Sequence, residues 1–343
     1  MELLNTNVAA NRLNISRATI LQRVENKTMV SLTFQTKKLK KHFIPSDFLH
    51  INPQKIEFHD CKVISIIQNK GGVGKSSLAI NFASSLSLIS SKKARILIVD
   101  FDPQANLSEN FLSQNILSNK PTIADIMRLH KENRELVTKD VVLNSISTVE
   151  FENVKYDILP SSIDLGIEIE SLRTKTTPET RLNRTLKLIE EFYDFIIIDT
   201  PPTVGLYTQM ALNCSDDILL IAIPEEFPAR GFKTLLEQLE LYKNEMIDLK
   251  DSKDFNIFGL VINKIENTNL NKHYKDVLVE LSFKAGIDNL YFIPKLLTMS
   301  ESQAFHIPIF EYKQECDMGF KIGGEILKIA FDYLVKNGII KED

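Results

Sequence analysis

The sequence is poor in cysteine. Only Cys61, Cys214 and Cys316 occur in 343 residues, too far apart to make a metal-ligand pattern. So sparse and odd a count fits a reducing cytosol. Long apolar runs are missing too. No stretch approaches the roughly 18 continuous apolar residues of a membrane span. The opening residues, MELLNTNVAANRLN, lack the basic segment and apolar core of a secretory signal. There is no internal repeat and no low-complexity segment. With 43% hydrophobic and 25% charged residues, the composition excludes a disordered chain, a fibre and a collagen-like repeat. The length is that of two domains, or of one large domain with an appendage.

Charge is uneven along the chain. The net formal charge is −4, but residues 1–62 hold ten Lys and Arg against five Asp and Glu, while the rest holds 31 against 40. A basic head of +5 on an acidic body of −9 predicts that the head meets something anionic.

Texture divides the chain in the same way. Residues 1–44 are rich in Asn, Thr, Lys and Arg and form the head. Residues 45–60 carry two prolines and read as a linker or loosely packed connection. From 61 to 343 short β-branched runs recur: VISII (63–67), RILIV (95–99), YDIL (156–159), FIIID (195–199), ILLIAI (218–223), IFGLVI (257–262) and YFI (291–293). Each is apolar on both faces, as parallel strands covered on both sides are. Amphipathic stretches at 76–89, 180–192, 230–247 and 317–337 separate them. Alternating strands and helices predict an α/β, doubly wound, mostly parallel sheet. Ligands of such sheets bind beyond the carboxyl ends of the strands.

After the first of these runs comes Lys70-Gly71-Gly72-Val73-Gly74-Lys75-Ser76-Ser77, then a helical pattern. Glycines let backbone N–H groups converge on phosphate oxygens without a Cβ in the way. The helix that follows aims its N-terminus at the same anion. Lys75 supplies charge to the β/γ-phosphates, and the Ser76 hydroxyl is a Mg²⁺ ligand candidate. Asn69 stands where the usual first glycine would be, and Lys70 follows it.

This early lysine makes the chain resemble the deviant Walker A family of ATPases, which includes ParA/Soj, MinD, the nitrogenase iron protein and the arsenical pump ATPase. The resemblance implies ATP and Mg²⁺ as ligands. It also implies a nucleotide-sandwich homodimer in which Lys70 reaches the partner subunit's nucleotide. Asp100-Phe101-Asp102-Pro103-Gln104 matches the ParA branch, where Asp102 would orient the attacking water and Asp100 would support the Mg²⁺ shell. FIIIDTPP (195–202) has the Walker B pattern of an apolar strand ending in an acid. Asp199 would hold Mg²⁺ through water, and Pro201-Pro202 begins a loop that can sense the γ-phosphate. Glu225 and Phe227 fall where ParA proteins carry an acid and an aromatic. By the same resemblance Asn263 would hydrogen-bond adenine, which a carboxamide can do with both its groups. Pro294, in the Ile293-Pro294-Lys295 loop, would border the base.

Further on, Met299-Ser300-Glu301-Ser302 and the 307–312 stretch are also similar, so the likeness runs from about 62 to 337. Surface arginines of the family bind DNA; Lys295 matches the first, and Thr298 replaces the next. Lys264, Lys272, Lys275 and Lys284 could join Lys295 in a basic patch. The cysteines do not sit at the cluster motifs of the iron protein. The tail 328–343 carries no net charge, unlike a membrane-binding amphipathic helix, so a membrane partner is not expected.

In the head, residues 8–24 read VAANRLNISRATILQRV. They fit a helix-turn-helix that turns at Leu13-Asn14-Ile15, with Asn14 left-handed and Ser16 capping the second helix. Ile20 and Val24 would then pack inward. Arg17, Thr19, Gln22 and Arg23 would face outward as DNA-binding residues, since Arg and Gln suit base edges. Lys37, Lys38, Lys40 and Lys41 could touch phosphates.

The head and the length resemble the larger plasmid ParA proteins, whose head represses their own operon. The function implied is a cytoplasmic, nucleoid-associated partition ATPase stimulated by a ParB-type centromere-binding protein. Two alternatives stay open: a MinD-like positioning ATPase for protein cargo, and an ATP-switched transcriptional regulator.

Overall fold

The computed structural model describes residues 1–35, 40–68, 70–203, 205–246, 254–312 and 317–340. Asn69, Lys37, Lys38 and Cys316 lie outside the described residues.

The strands, in chain order, are β1 (Leu3–Asn5), β2 (Leu32–Gln35), β3 (Lys40–Pro45), β4 (Lys62–Ile67), β5 (Ile96–Asp100), β6 (Ser147–Glu150), β7 (Lys155–Leu159), β8 (Phe195–Asp199), β9 (Asp217–Ala222), β10 (Asn256–Ile265) and β11 (Leu290–Pro294). The last eight form one sheet in the order β11-β10-β9-β4-β8-β5-β7-β6. All its pairings are parallel except β6 with β7. This is the expected doubly wound sheet, with one antiparallel edge strand added.

Why the strands are apolar on both sides is visible in β4. Ile64 and Ile66 face a core shared with helices Lys75–Ile89 and Asp317–Lys336, while Val63 and Ile67 face the helices of the other side. Alternate residues of a strand point to opposite faces, so a strand covered twice is hydrophobic throughout. Helix Lys75–Ile89 lies against this central region, and 13 of its 15 residues are buried.

The amphipathic stretches differ from expectation at their ends. Stretch 180–192 is a short helix, Arg181–Lys187, followed by a 3₁₀ turn, Glu190–Phe192. The helix expected from 230 begins earlier, at Glu226. Pro228 falls in its first turn, where a missing N–H costs nothing.

In the head, helices Thr6–Arg12 and Arg17–Glu25 flank a turn with Asn14 at φ 51°, and the Ser16 hydroxyl accepts from the Thr19 N–H. Ile20 is buried and Val24 half-buried. Three short strands, not foreseen, join these helices in the order β1-β3-β2. Within 45–60, Phe48 is wholly buried with its ring 4.8 Å from that of Phe331, and Ile56 joins the same core.

No helix among the described residues is long and apolar enough to cross a membrane. Helix Asp317–Lys336 is instead packed, with Ile322, Ile326, Ala330 and Tyr333 at 0% exposure.

Candidate nucleotide-binding site

The carboxyl ends of β4, β5, β8 and β10 gather the sequence motifs at one edge of the sheet. β4 leads into the glycine-rich turn. Gly72 and Gly74 adopt φ 77° and 94°, a region open to glycine but strained for other residues, and Gly74 caps helix Lys75–Ile89. The first N–H groups of that helix have no intrahelical partner and are directed beyond β4. This combination of turn and helix end is an anion cradle.

Lys75 is 4% exposed, and its ammonium donates to Asp199 Oδ1, forming a buried ion pair. Asp199 is fully buried, and its other oxygen, Oδ2, has no hydrogen-bond partner among the described residues. A buried carboxylate oxygen left without a donor is costly, and a metal-bound water is a chemically apt partner. Pairing places Asp100 directly beside Asp199 on β5. Asp100 Oδ2 accepts from both the N–H and the hydroxyl of Ser108, at 2.9 and 2.7 Å, and Oδ1 accepts from the Asp102 N–H at 3.3 Å. Burial, and then the charge of Asp199, push the Asp100 carboxyl up to about 7.

Asp102 is 7% exposed and accepts from the Gln104 N–H at 2.9 Å. Burial raises its pKa. Tyr207, pushed up to about 12 by burial and then by the Asp102 charge, stands close by. Asp100 is wholly buried beside Asp199, and Asp102, two residues on, is slightly exposed. Pro202 lies across the turn: a Cβ on Gly71 would meet its ring at 3.8 Å.

Ser76, half-buried, follows Lys75 on the same helix turn. Ser76, Asp100 and Asp199 are all hard oxygen donors, the set that suits Mg²⁺. Among the described residues no group of three or more His, Cys, Asp or Glu could hold a metal ion.

Lys70 does not point away from its own chain. Its ammonium is 3.0 Å from Glu225, in an exposed ion pair. Phe227, near that pair, is 75% exposed. Asn263 is 8% exposed, and its carboxamide nitrogen donates to the Val73 carbonyl at 2.7 Å. Pro294 ends β11, paired with Ile265 of β10. Lys295 pairs with Glu266 at 2.6 Å. Of the other patch candidates, Lys275 pairs with Asp276, and Lys284 with Glu280 far down its helix. Lys264 turns onto the phosphate turn, donating to the Gly72 carbonyl at 2.6 Å. In the sequence Lys264 reads only as a surface charge; its place directly after Asn263 at a strand end is the signal for more. Ser108 was also missed, because a lone serine six residues past Asp102 carries no pattern.

In the head, Arg17, Gln22 and Arg23 are exposed. Arg17 Nε donates to the Thr6 hydroxyl, and Thr19 is half-buried with its hydroxyl bonded to Ser16.

The sheet, the turn and the buried Lys75–Asp199 pair define a P-loop nucleotide-binding protein. The family described as an AAA domain matches residues 61–252. The chain is 31% identical to the sporulation initiation inhibitor protein Soj of Bacillus subtilis over 73% of its own length and 91% of that protein's. It is 28% identical to the chromosome partitioning protein ParA of Myxococcus xanthus, over 78% of this chain and 88% of the relative. Among solved structures, the ATP complex of McdA from Cyanothece superposes with a TM-score of 0.63 at 17% identity, covering 80% of this chain and 96% of that one. The chain belongs to the ParA/Soj-type family of partition ATPases.

Proposed function

We propose that the chain is a Mg²⁺-dependent ATPase that partitions plasmid or chromosomal DNA. The observation that carries this reading is the phosphate turn at the head of a buried helix, with Lys75 held against Asp199 and one Asp199 oxygen left over. An arriving triphosphate would draw Lys75 off Asp199, because phosphate oxygens offer the ammonium more negative charge than one carboxylate does. Asp199, through water, and the Ser76 hydroxyl would then be the groups to hold Mg²⁺, which when bound would supply charge stabilisation at the phosphates. Val73, Gly74, Lys75, Ser76 and Ser77 contribute N–H groups around the anion, and Gly71 and Gly72 allow the close approach. Asp102 orients the attacking water at the rim, while Asp100, tied to Ser108, supports the wall behind Asp199. Asn263 and Pro294 border the adenine.

Lys70 must leave Glu225 to reach a nucleotide across a dimer. That exchange costs little, since an exposed ion pair contributes about 0–1 kcal/mol. In this reading ATP closes a homodimer, the dimer binds DNA, and a ParB-type partner stimulates hydrolysis.

The exposed Arg17, Gln22 and Arg23 beside the half-buried Thr19 favour a second role, operon repression by the head. Lys295, already neutralised by Glu266, contributes less to DNA binding than these head residues.

The test uses purified protein. Lys75→Ala should abolish heat release on titration with MgATP, and Asp102→Ala should accumulate an ATP-bound dimer without phosphate release. Wild-type turnover in Asp102→Ala would remove that residue from its role. A wild-type protein that stays monomeric and binds no MgATP would remove the whole reading.

A further inference from the structure

Asn263 and Lys264 are consecutive residues at the end of β10, yet both side chains reach the same turn. Lys264 donates to the carbonyl of Gly72 at 2.6 Å, and Asn263 to that of Val73 at 2.7 Å. Neighbouring residues of a regular strand point to opposite faces. Here the strand is irregular: Ile262 pairs with Phe292 and Ile265 with Pro294, so β10 holds one residue more than β11 between these pairs. Lys264 sits in that bulge with φ 56°, in the left-handed region unfavourable for a lysine. A bulge re-aims side chains, and strained backbone of this kind concentrates at functional sites.

The consequence for the turn follows from peptide planarity. No cis peptide bond occurs among the described residues. In a trans peptide the carbonyl and the next N–H point in opposite directions. Holding the Gly72 carbonyl toward β10 therefore directs the Val73 N–H away from it, and holding the Val73 carbonyl does the same for the Gly74 N–H. Neither N–H has a hydrogen-bond partner among the described residues. Away from β10 lie β8 and β5 with Asp199 and Asp100, since β4 stands between β9 and β8 in the sheet. Gly72 and Gly74, both at positive φ, flank Val73, whose φ is not positive, a pattern that makes successive N–H groups converge on an anion. Gly74 also leaves room for this contact: a Cβ there would stand 2.6 Å from the Asn263 amide nitrogen and push that side chain from its place.

We propose that Lys264 and Asn263 are positioning residues of the phosphate turn: by gripping two successive carbonyls they aim the Val73 and Gly74 N–H groups at the diphosphate of a bound nucleotide. Lys264 acts through the turn and not by touching phosphate. The inference rests on the nucleotide-site reading above.

The experiment measures binding of ADP and of inorganic pyrophosphate, the latter by displacement of a fluorescent ADP, on the full-length protein. Lys264→Met keeps the side-chain stem and removes the donor. It should weaken both ligands by the same factor, on the order of tenfold, and Lys264→Arg should recover most of the loss. Asn263→Ala removes no charge; it should weaken pyrophosphate by a similar factor, and ADP by at least as much, since Asn263 also borders the adenine. Amide NMR signals of Val73 and Gly74 should respond to pyrophosphate in the wild type and respond less in both variants. The proposal is overturned if Lys264→Met binds both ligands as tightly as wild type, or loses ADP while keeping pyrophosphate, which would mean a base or ribose contact. It is overturned equally if Asn263→Ala keeps pyrophosphate affinity, which would leave Lys264 acting as a bare charge, or if losses merely track a lowered melting temperature. Failure of the wild type to bind either ligand would instead defeat the nucleotide-site reading.

Discussion

At the scale of single residues, burial decides which charges act and which only pack. Lys75 and Asp199 are both withdrawn from water, so each depends on the other until a ligand arrives. His130 shows the opposite solution. It is 6% exposed, its Nε2 lies 2.8 Å from the Thr185 hydroxyl, and burial together with Arg181 and Arg184 lowers its pKa to about 4. The unfolded imidazole takes up a proton near pH 6.5. Between these values the unfolded chain holds a proton that the folded one refuses, so stability rises with pH there. The His130 contribution is whole above about 6.5 and is lost as the pH falls toward 4, with about 1.4 kcal/mol carried by each unit of pKa difference. His130→Gln, which cannot titrate, should flatten the urea midpoint between pH 4 and 6.5 relative to wild type. An unchanged slope would mean that His130 is protonated in the fold.

At the scale of elements, what the sequence revealed depended on how strongly each segment was constrained. Strands β4, β5, β8 and β9 were legible because two covered faces force a continuous apolar run. Edge strand β6, STVE, has one half-open side, so no continuous apolar run marks it. The three short strands of the head carry no such run either, and their pairing is a tertiary fact. The phosphate turn was legible because glycine, lysine and serine at fixed spacing have few other uses. The grip of Lys264 on it was not, because a bulge in β10 is invisible without the partner strand. β10 carries a second irregularity between Ile257 and Gly259, in its pairing with β9. A Cβ on Gly259 would stand 2.7 Å from the Asn289 carbonyl oxygen and 3.2 Å from the Tyr291 ring. Backbone on β11's side cannot yield as a flexible side chain would. Gly259→Ala should therefore destabilise the protein by about 1–3 kcal/mol, read as a lowered urea midpoint. It should also weaken nucleotide binding, because β10 carries Asn263 and Lys264. A variant as stable as wild type would show that β11 shifts freely.

At the scale of the whole molecule, the basic head is built into the ATPase rather than hung from it. Val30, Leu32, Phe48 and Ile56 share one core with helices Lys75–Ile89 and Asp317–Lys336. Gly324 of the latter helix leaves room for Leu3 of β1, with the leucine within 3.6 Å of where a Cβ would be. Lys93 donates to the carbonyls of Gln54 and Ile56, and Ser91 to that of Lys27. The helix that begins at the phosphate turn therefore ends beside the head. Such sharing makes head and body one cooperative unit, since each buries apolar surface that the other would leave wet. Phe48→Ala tests this. Truncating a fully buried phenylalanine costs about 3–5 kcal/mol. If the core is shared, the loss falls on the body too: a single melting transition moves down by many degrees, and bound MgATP raises it again as a ligand of the folded state must. If the head folded by itself, the variant would lose a small early fraction of its helical signal while the main, nucleotide-sensitive transition stayed where it was.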